Sequence, residues 1–159
     1  MAMSFFQQGQ SEGKALLNVS TSVIHSHSGI LGIGAYAATK SAFANFLQQL
    51  SSELGPGKAQ IIDFHPGVVL SPAGRKLGLD ESSFSFNDTN LLGRFSVWAA
   101  SADAAFLHGR FVWASWDIDE FRELKPKILD DPGFLKLGLL GTASFDFPTF
   151  LQTQLCKEH

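Results

Sequence analysis

The sequence predicts an α/β domain built on a parallel sheet. Residues 15–20 (ALLNVS) form a short, nearly continuous apolar run, which suits a strand buried on both faces. Residues 60–65 (QIIDFH) read as a second strand, ended by Pro66-Gly67. Between them lies one long helical stretch, 34–54. Strand, helix, strand is a crossover between parallel neighbours, and it should be right-handed.

The elements follow in order. Residues 1–14 hold a few apolar residues and a polar turn ending at Gly13-Lys14. After the first strand, 21–35 is rich in Ser, His and Gly and reads as a loop. In the helix, Phe43, Phe46, Leu47, Leu50 and Leu54 make one apolar stripe. Ala35, Ala37, Ala38, Ala42 and Ala44 keep its first turns slim, and Gly55-Pro56-Gly57 stops it. Residues 68–89 are poor in apolar repeats, so a long loop with at most one short helix is expected there. Asp88 or Thr89 caps a helix whose apolar face is Leu91, Leu92, Phe95, Trp98 and Ala102. Gly109 turns the chain into a third strand, 110–114. A short charged helix over 117–125 ends at Pro126. The apolar but irregular remainder, with FLKLGLLG and SFDFPTF, is expected to pack as an extended tail.

Composition excludes several classes. The chain has 159 residues, 45% hydrophobic and 17% charged, which suits one folded domain rather than a disordered segment. The net charge of −3 and the scattered basic residues argue against nucleic acid. The one cysteine, Cys156, makes no internal disulfide. No stretch is long and apolar enough for a membrane span, and the N-terminus lacks a secretory pattern. A cytoplasmic location is the expectation. There is no internal repeat and no second domain, so 1–159 reads as a single unit. Asn18-Val19-Ser20 and Asn87-Asp88-Thr89 match the glycosylation pattern and are read as chance.

The chemistry concentrates at the start of the long helix. Tyr36 and Lys40 are four residues apart, hence on one face, one turn apart. A free phenol titrates near ~10. A positive charge at ~5 Å, at an effective dielectric of ~20, favours the phenolate by roughly 3 kcal/mol. That brings the phenol within reach of general acid–base work. Tyr36 is the only tyrosine in the sequence, against fifteen phenylalanines, so any mechanism needing a phenolic proton must use it. His25 and His27 form an H-x-H pair beside the hydroxyls. With no third ligand at suitable spacing they read as loop histidines, and no metal is expected. Trp98 and Trp113 read as core residues.

The strand ending Asn18-Val19-Ser20, the hydroxyls of Thr21 and Ser22, the Tyr36/Lys40 pair and the later Pro66-Gly67-Val68-Val69-Leu70-Ser71 form an ordered set. This set resembles the short-chain dehydrogenase/reductase family, and GRFVWASWDIDEF looks like the final strand of fungal members. The resemblance runs from about residue 14 to 121. It implies part of a Rossmann-type doubly wound sheet of about three strands with flanking helices. It implies NAD(P)-dependent hydride transfer on a small-molecule carbonyl or alcohol, with NAD or NADP as cofactor. Tyr36 would be the acid/base, and Lys40 would tune it and hold the nicotinamide ribose. A strand-end hydroxyl would orient the substrate oxygen. Counting forward from Asn18 gives Thr21, whereas counting back from Tyr36 gives Val23, so Thr21 and Ser22 both stand. Pro66, Gly67, Val69 and Ser71 would line the nicotinamide side with Tyr36 and Lys40.

The family's Gly-rich pyrophosphate turn, its acidic or basic ribose residue and its Asn-Asn-Ala-Gly stretch have no counterpart in these 159 residues. The glycines from Gly29 to Gly34 have the wrong spacing and read as a wall of the substrate site. The chain thus resembles the C-terminal half of such a domain, with the dinucleotide-binding half absent. It is expected to be truncated, impaired in activity and weak in cofactor binding. The first strand is expected to show an unpaired edge. The alternative is a non-catalytic remnant acting through another subunit, for example as a homo-oligomer through the helix over 36–54, which in the family usually packs against its own copy.

Overall fold

In the computed structural model, residues 13–26, 32–76 and 78–139 are described. The three expected strands are β1 (Ala15–Val19), β2 (Gln60–His65) and β3 (Arg110–Trp113). They form one parallel sheet in the order β1-β2-β3. The registers place Asn18 beside Asp63 and Asp63 beside Phe111. All three strands therefore end at the same edge, the end where open α/β sheets bind ligands.

Alternation in β2 divides the core between the two faces. Ile61 points to α1 (Gly34–Lys58), where it meets Leu47 and Leu50. Ile62 and Phe64 point the other way. There they meet Phe95 of α3 (Thr89–Ala99) and Phe121 and Ile128 of α4 (Ile118–Asp130). By the same parity, Asp63 and His65 share the α1-facing side with Ile61.

Several expectations need correction. β2 is buried throughout, but β1 is only half-buried. Among the described residues it pairs only with β2. The buried face of α1 is Ala44, Leu47, Leu50 and Ser51. Phe43 and Phe46 are each 48% exposed and stack on one another at 6.1 Å, so the broad apolar stripe is not all core. Leucine at 47 and 50 meets the sheet, whereas the two phenyl rings stand to its side. At Gly55 the backbone turns to φ 63°, ψ 159°, and a last turn then runs to Lys58. Gly55 therefore breaks the helix without ending it.

The expected loop over 21–35 contains a 3-10 turn, Ser22–Ile24. Its residues 27–31, including His27 and Gly29, lie outside the described set, as do 140–159 with Cys156 and SFDFPTF. In the long loop over 68–89 the one short helix is α2 (Pro72–Lys76). Asp88 caps α3 by accepting from Asn90 N at 2.9 Å. Ala102 is not on the apolar face of α3. It is exposed and opens a separate 3-10 element, Ala102–Leu107, which buries Ala104, Phe106 and Leu107.

Pro126 does not end the last helix, which continues to Asp130. Ile128 is fully buried one turn beyond Asp117–Lys125, and its carbonyl accepts from Arg110 Nη2 at 2.7 Å. Burial plus a buried guanidinium on the last carbonyls outweighs the bond that proline forfeits. Arg110 also donates to the Pro132 and Phe134 carbonyls. The tail is thereby pulled along β3, where Phe111 N donates to Leu135 O at 2.8 Å. Gln48 on α1 makes two bonds of 3.0 Å to the Leu137 backbone.

Candidate active site

A crossover helix begins where its first strand ends, so Tyr36 and Lys40, in the opening turns of α1, sit at the ligand-binding end of the sheet. Lys40 Nζ donates to the Val19 carbonyl at 3.1 Å, joining α1 to the last residue of β1. Tyr36 is 50% exposed. Its hydroxyl makes no hydrogen bond among the described residues, and its backbone carbonyl accepts from Thr39 Oγ1 at 2.8 Å.

Three hydroxyl residues follow β1. Thr21 is buried and opens the 3-10 turn, with Oγ1 accepting from Val23 N at 3.5 Å. Ser22 is half-buried, and its N–H donates to His65 Nδ1 at 3.3 Å. Ser20, which sequence reasoning passed over, is buried and its Oγ has no partner among the described residues. An orphaned buried hydroxyl costs roughly 1–3 kcal/mol and asks for a reason. All three lie within three residues of Val19, whose carbonyl Lys40 holds.

After β2, Gly67 adopts φ +89°, and a Cβ there would run into the Asn87 side chain. Asn87 grips Val68 twice, accepting at Oδ1 from Val68 N at 2.9 Å and donating from its own N to Val68 O at 2.7 Å. The two ends of the long loop are thus tied together beside Pro66-Gly67. Pro66, Val69 and Ser71 are half-buried on its first limb. The Ser71 hydroxyl accepts from Gly74 N at 3.1 Å, which ties it to the first turn of α2.

Two ionisable groups on the α1-facing side were not singled out from the sequence. Asp63 is 7% exposed and its Oδ1 accepts from Asn18 Nδ2. Burial pushes its carboxyl up to about 6, against the lowering pull of the Asn18 hydrogen bond and the Lys40 charge. His65 is held below its usual value, chiefly by burial and then by the nearby His25. His65 lies edge-on to Trp113 at 4.5 Å. Trp113 donates from Nε1 to His25 Nε2 at 3.1 Å. His25, Phe111, Trp113, Trp116 and Lys136 wall a recess of about 280 Å³. Larger grooves of about 530 and 590 Å³ lie along α3 and contain none of the sequence-predicted site residues. The signal for Asp63 and His65 was the alternation Ile61-Asp63-His65, which puts all three on the face carrying Lys40.

Chemically, the end of the sheet offers a half-exposed phenol, an ammonium, unspent hydroxyl capacity at Ser20 and a glycine passage. Among the described residues no three His, Cys, Asp or Glu side chains cluster as a metal site.

No family model matches the chain. A short chain dehydrogenase/reductase of Claviceps purpurea (strain 20.1) is 34% identical over 129 residues, covering 80% of this chain and 43% of the relative. The short chain dehydrogenase/reductase nsrO of Aspergillus novofumigatus is 34% identical over 131 residues, covering 80% and 44%. The chain thus spans somewhat under half the length of these curated relatives. Among solved structures, a short chain dehydrogenase from Burkholderia cenocepacia J2315 in complex with NADP superposes with a TM-score of 0.56 at 16% identity, over 70% of this chain and 48% of that one. BdcA in complex with NADPH gives 0.54 at 22%, with the same coverage. These two show a shared fold.

Proposed function

The chain belongs to the short-chain dehydrogenase/reductase family, and from that premise we propose that it carries the acid–base and nicotinamide end of an NAD(P)-dependent oxidoreductase site. The observation that carries the reading is the Lys40–Val19 bond. It ties the helix bearing the chain's only tyrosine to the strand end bearing Ser20, Thr21 and Ser22.

Tyr36 gives its proton to a carbonyl oxygen during reduction, or takes one from an alcohol during oxidation. Lys40, one helical turn away and held at the end of β1, places its positive charge on the same face. Thr21 or Ser22 orients the substrate oxygen. The donor set suits the nicotinamide end of NAD or NADP: an amine at Lys40 and hydroxyls for a ribose. Tyr36, Lys40, Pro66, Gly67, Val69 and Ser71 would hold it. When bound, the cofactor supplies or accepts the hydride. The substrate is a small carbonyl or alcohol compound that enters beside the loop over 68–89.

The test is NMR titration with NADH or NADPH into the millimolar range. Binding is expected to be weak, because these 159 residues contain no Gly-rich pyrophosphate turn. Perturbations are expected at Tyr36, Lys40, Gly67 and Ser71, and should vanish in Lys40→Met. Perturbations confined elsewhere overturn the assignment.

A second reading, a non-catalytic chain that works through another subunit, is favoured by Phe43 and Phe46. Two stacked phenyl rings, each 48% exposed on α1, form an apolar patch suited to a second copy of the helix. Sedimentation of wild type against Phe43→Ser/Phe46→Ser tests it. A mass unchanged by the double substitution removes it.

A further inference from the structure

Asp63 is a buried carboxyl with no part in the chemistry above. It lies mid-sheet on the α1-facing side, in register with Asn18 on β1 and Phe111 on β3. Asn18 Nδ2 donates to Oδ1. The next residue along β1 is Val19, whose carbonyl holds the Lys40 amine. Asp63 and Lys40 make no direct ion pair within 4 Å, yet the Lys40 charge reaches Asp63. A carboxylate and an ammonium thus share one patch of sheet, joined by two consecutive residues of one strand.

We propose that Asp63 is a positioning residue for Lys40: ionised and carried by Asn18, it keeps the amine at the end of β1, and its protonation loosens that hold. The functional consequence rests on the reading of Lys40 as partner of Tyr36. At an effective dielectric of ~20, an opposite charge within ~10 Å still outweighs thermal energy. A carboxyl raised to about 6 places the change in charge inside the working pH range. Lys40 faces Asp63 from α1, Asn18 from β1 and Phe111 from β3, the last two uncharged. His65 lies two residues further along β2, with His25 behind it.

The experiment follows the Lys40 side chain itself. The chain is labelled with ¹³C-lysine, the Lys40 Cε signal is assigned by Lys40→Arg, and it is followed from pH 4.5 to 7.5. The signal should step with a midpoint near 6. The step should disappear in Asp63→Asn and persist in His65→Asn and His25→Gln, which separates the carboxyl from the imidazoles. Asn18→Ala removes the bond that lowers the carboxyl's pKa, so it should move the midpoint upward. This keeps the test decisive should Asp63→Asn fold poorly. A flat Lys40 signal in wild type, a step surviving Asp63→Asn, or a midpoint unmoved by Asn18→Ala overturns the proposal. None of these readouts needs turnover. An enzyme reading that fails leaves the Lys40 step in place, whereas a missing step overturns only this inference.

Discussion

Lys40 Nζ lies 3.1 Å from the carbonyl oxygen of Val19, twenty-one residues earlier in the chain. A single ammonium–carbonyl bond therefore closes the excursion that carries the strand-end hydroxyls and the phenol. It fixes the amine one turn from Tyr36 and leaves the phenol half-exposed.

Tyr36→Phe separates chemistry from folding. Its hydroxyl makes no hydrogen bond among the described residues, so the melting temperature should stay within about a degree. Under the proposed function, turnover in a carbonyl-reduction assay should fall by ~10²–10⁴-fold, the usual worth of a positioned proton donor. Turnover close to wild type would leave the phenol without its assigned role.

Asp63 makes stability depend on pH in an unusual direction. In the unfolded chain it releases its proton near 3.8, and in the fold at about 6. Between these values the native chain holds a proton the unfolded chain has lost, so stability falls as pH rises through the window. Roughly two pK units correspond to about 3 kcal/mol, present below ~pH 4 and lost above ~pH 6. Asp63→Asn should match wild type in urea denaturation at pH 4 and exceed it at pH 8.

His65 acts with the opposite sign. Burial and His25 lower its pKa, so its contribution is present above ~6.5 and is lost as pH falls through the lowered value. His65→Asn keeps an acceptor for the Ser22 N–H and removes the buried imidazole. Its stability should decline less than that of wild type between pH 7 and 5. A decline of equal steepness in both proteins would show that another group, such as the similarly buried His108, carries the acid limb.

Gly67→Ala strains the backbone at φ +89° and drives a methyl into Asn87. It should cost roughly 1–3 kcal/mol. Because the clash is with one side chain, the cost should be smaller in an Asn87→Ala background, a non-additivity measurable by a double-mutant cycle.

Much of this architecture was legible. Apolar runs, the length of the helix and the Asp88 cap are local signals, and the β1–α1–β2 crossover followed from strand, helix, strand. What failed was long-range. Pro126 sits inside α4 because Arg110, from a strand sixteen residues earlier, holds the helix end. Phe43 and Phe46 have core-type side chains but sit to the side of the face that meets the sheet. At the site, Tyr36 and Lys40 were visible as a spacing on one helix. Ser20, Asp63 and His65 were not, because their neighbourhood is made by register between strands, which a single chain read in line does not display.

The two rims of the sheet differ in kind. Leu135 accepts from the outer side of β3, whereas β1 has β2 as its sole neighbour among the described residues. Among the described residues, the rim beyond β1 carries no strand, and it lies alongside the β1 residues that Lys40 and Asp63 hold. A segment added there would lie against the strand whose last carbonyl Lys40 holds.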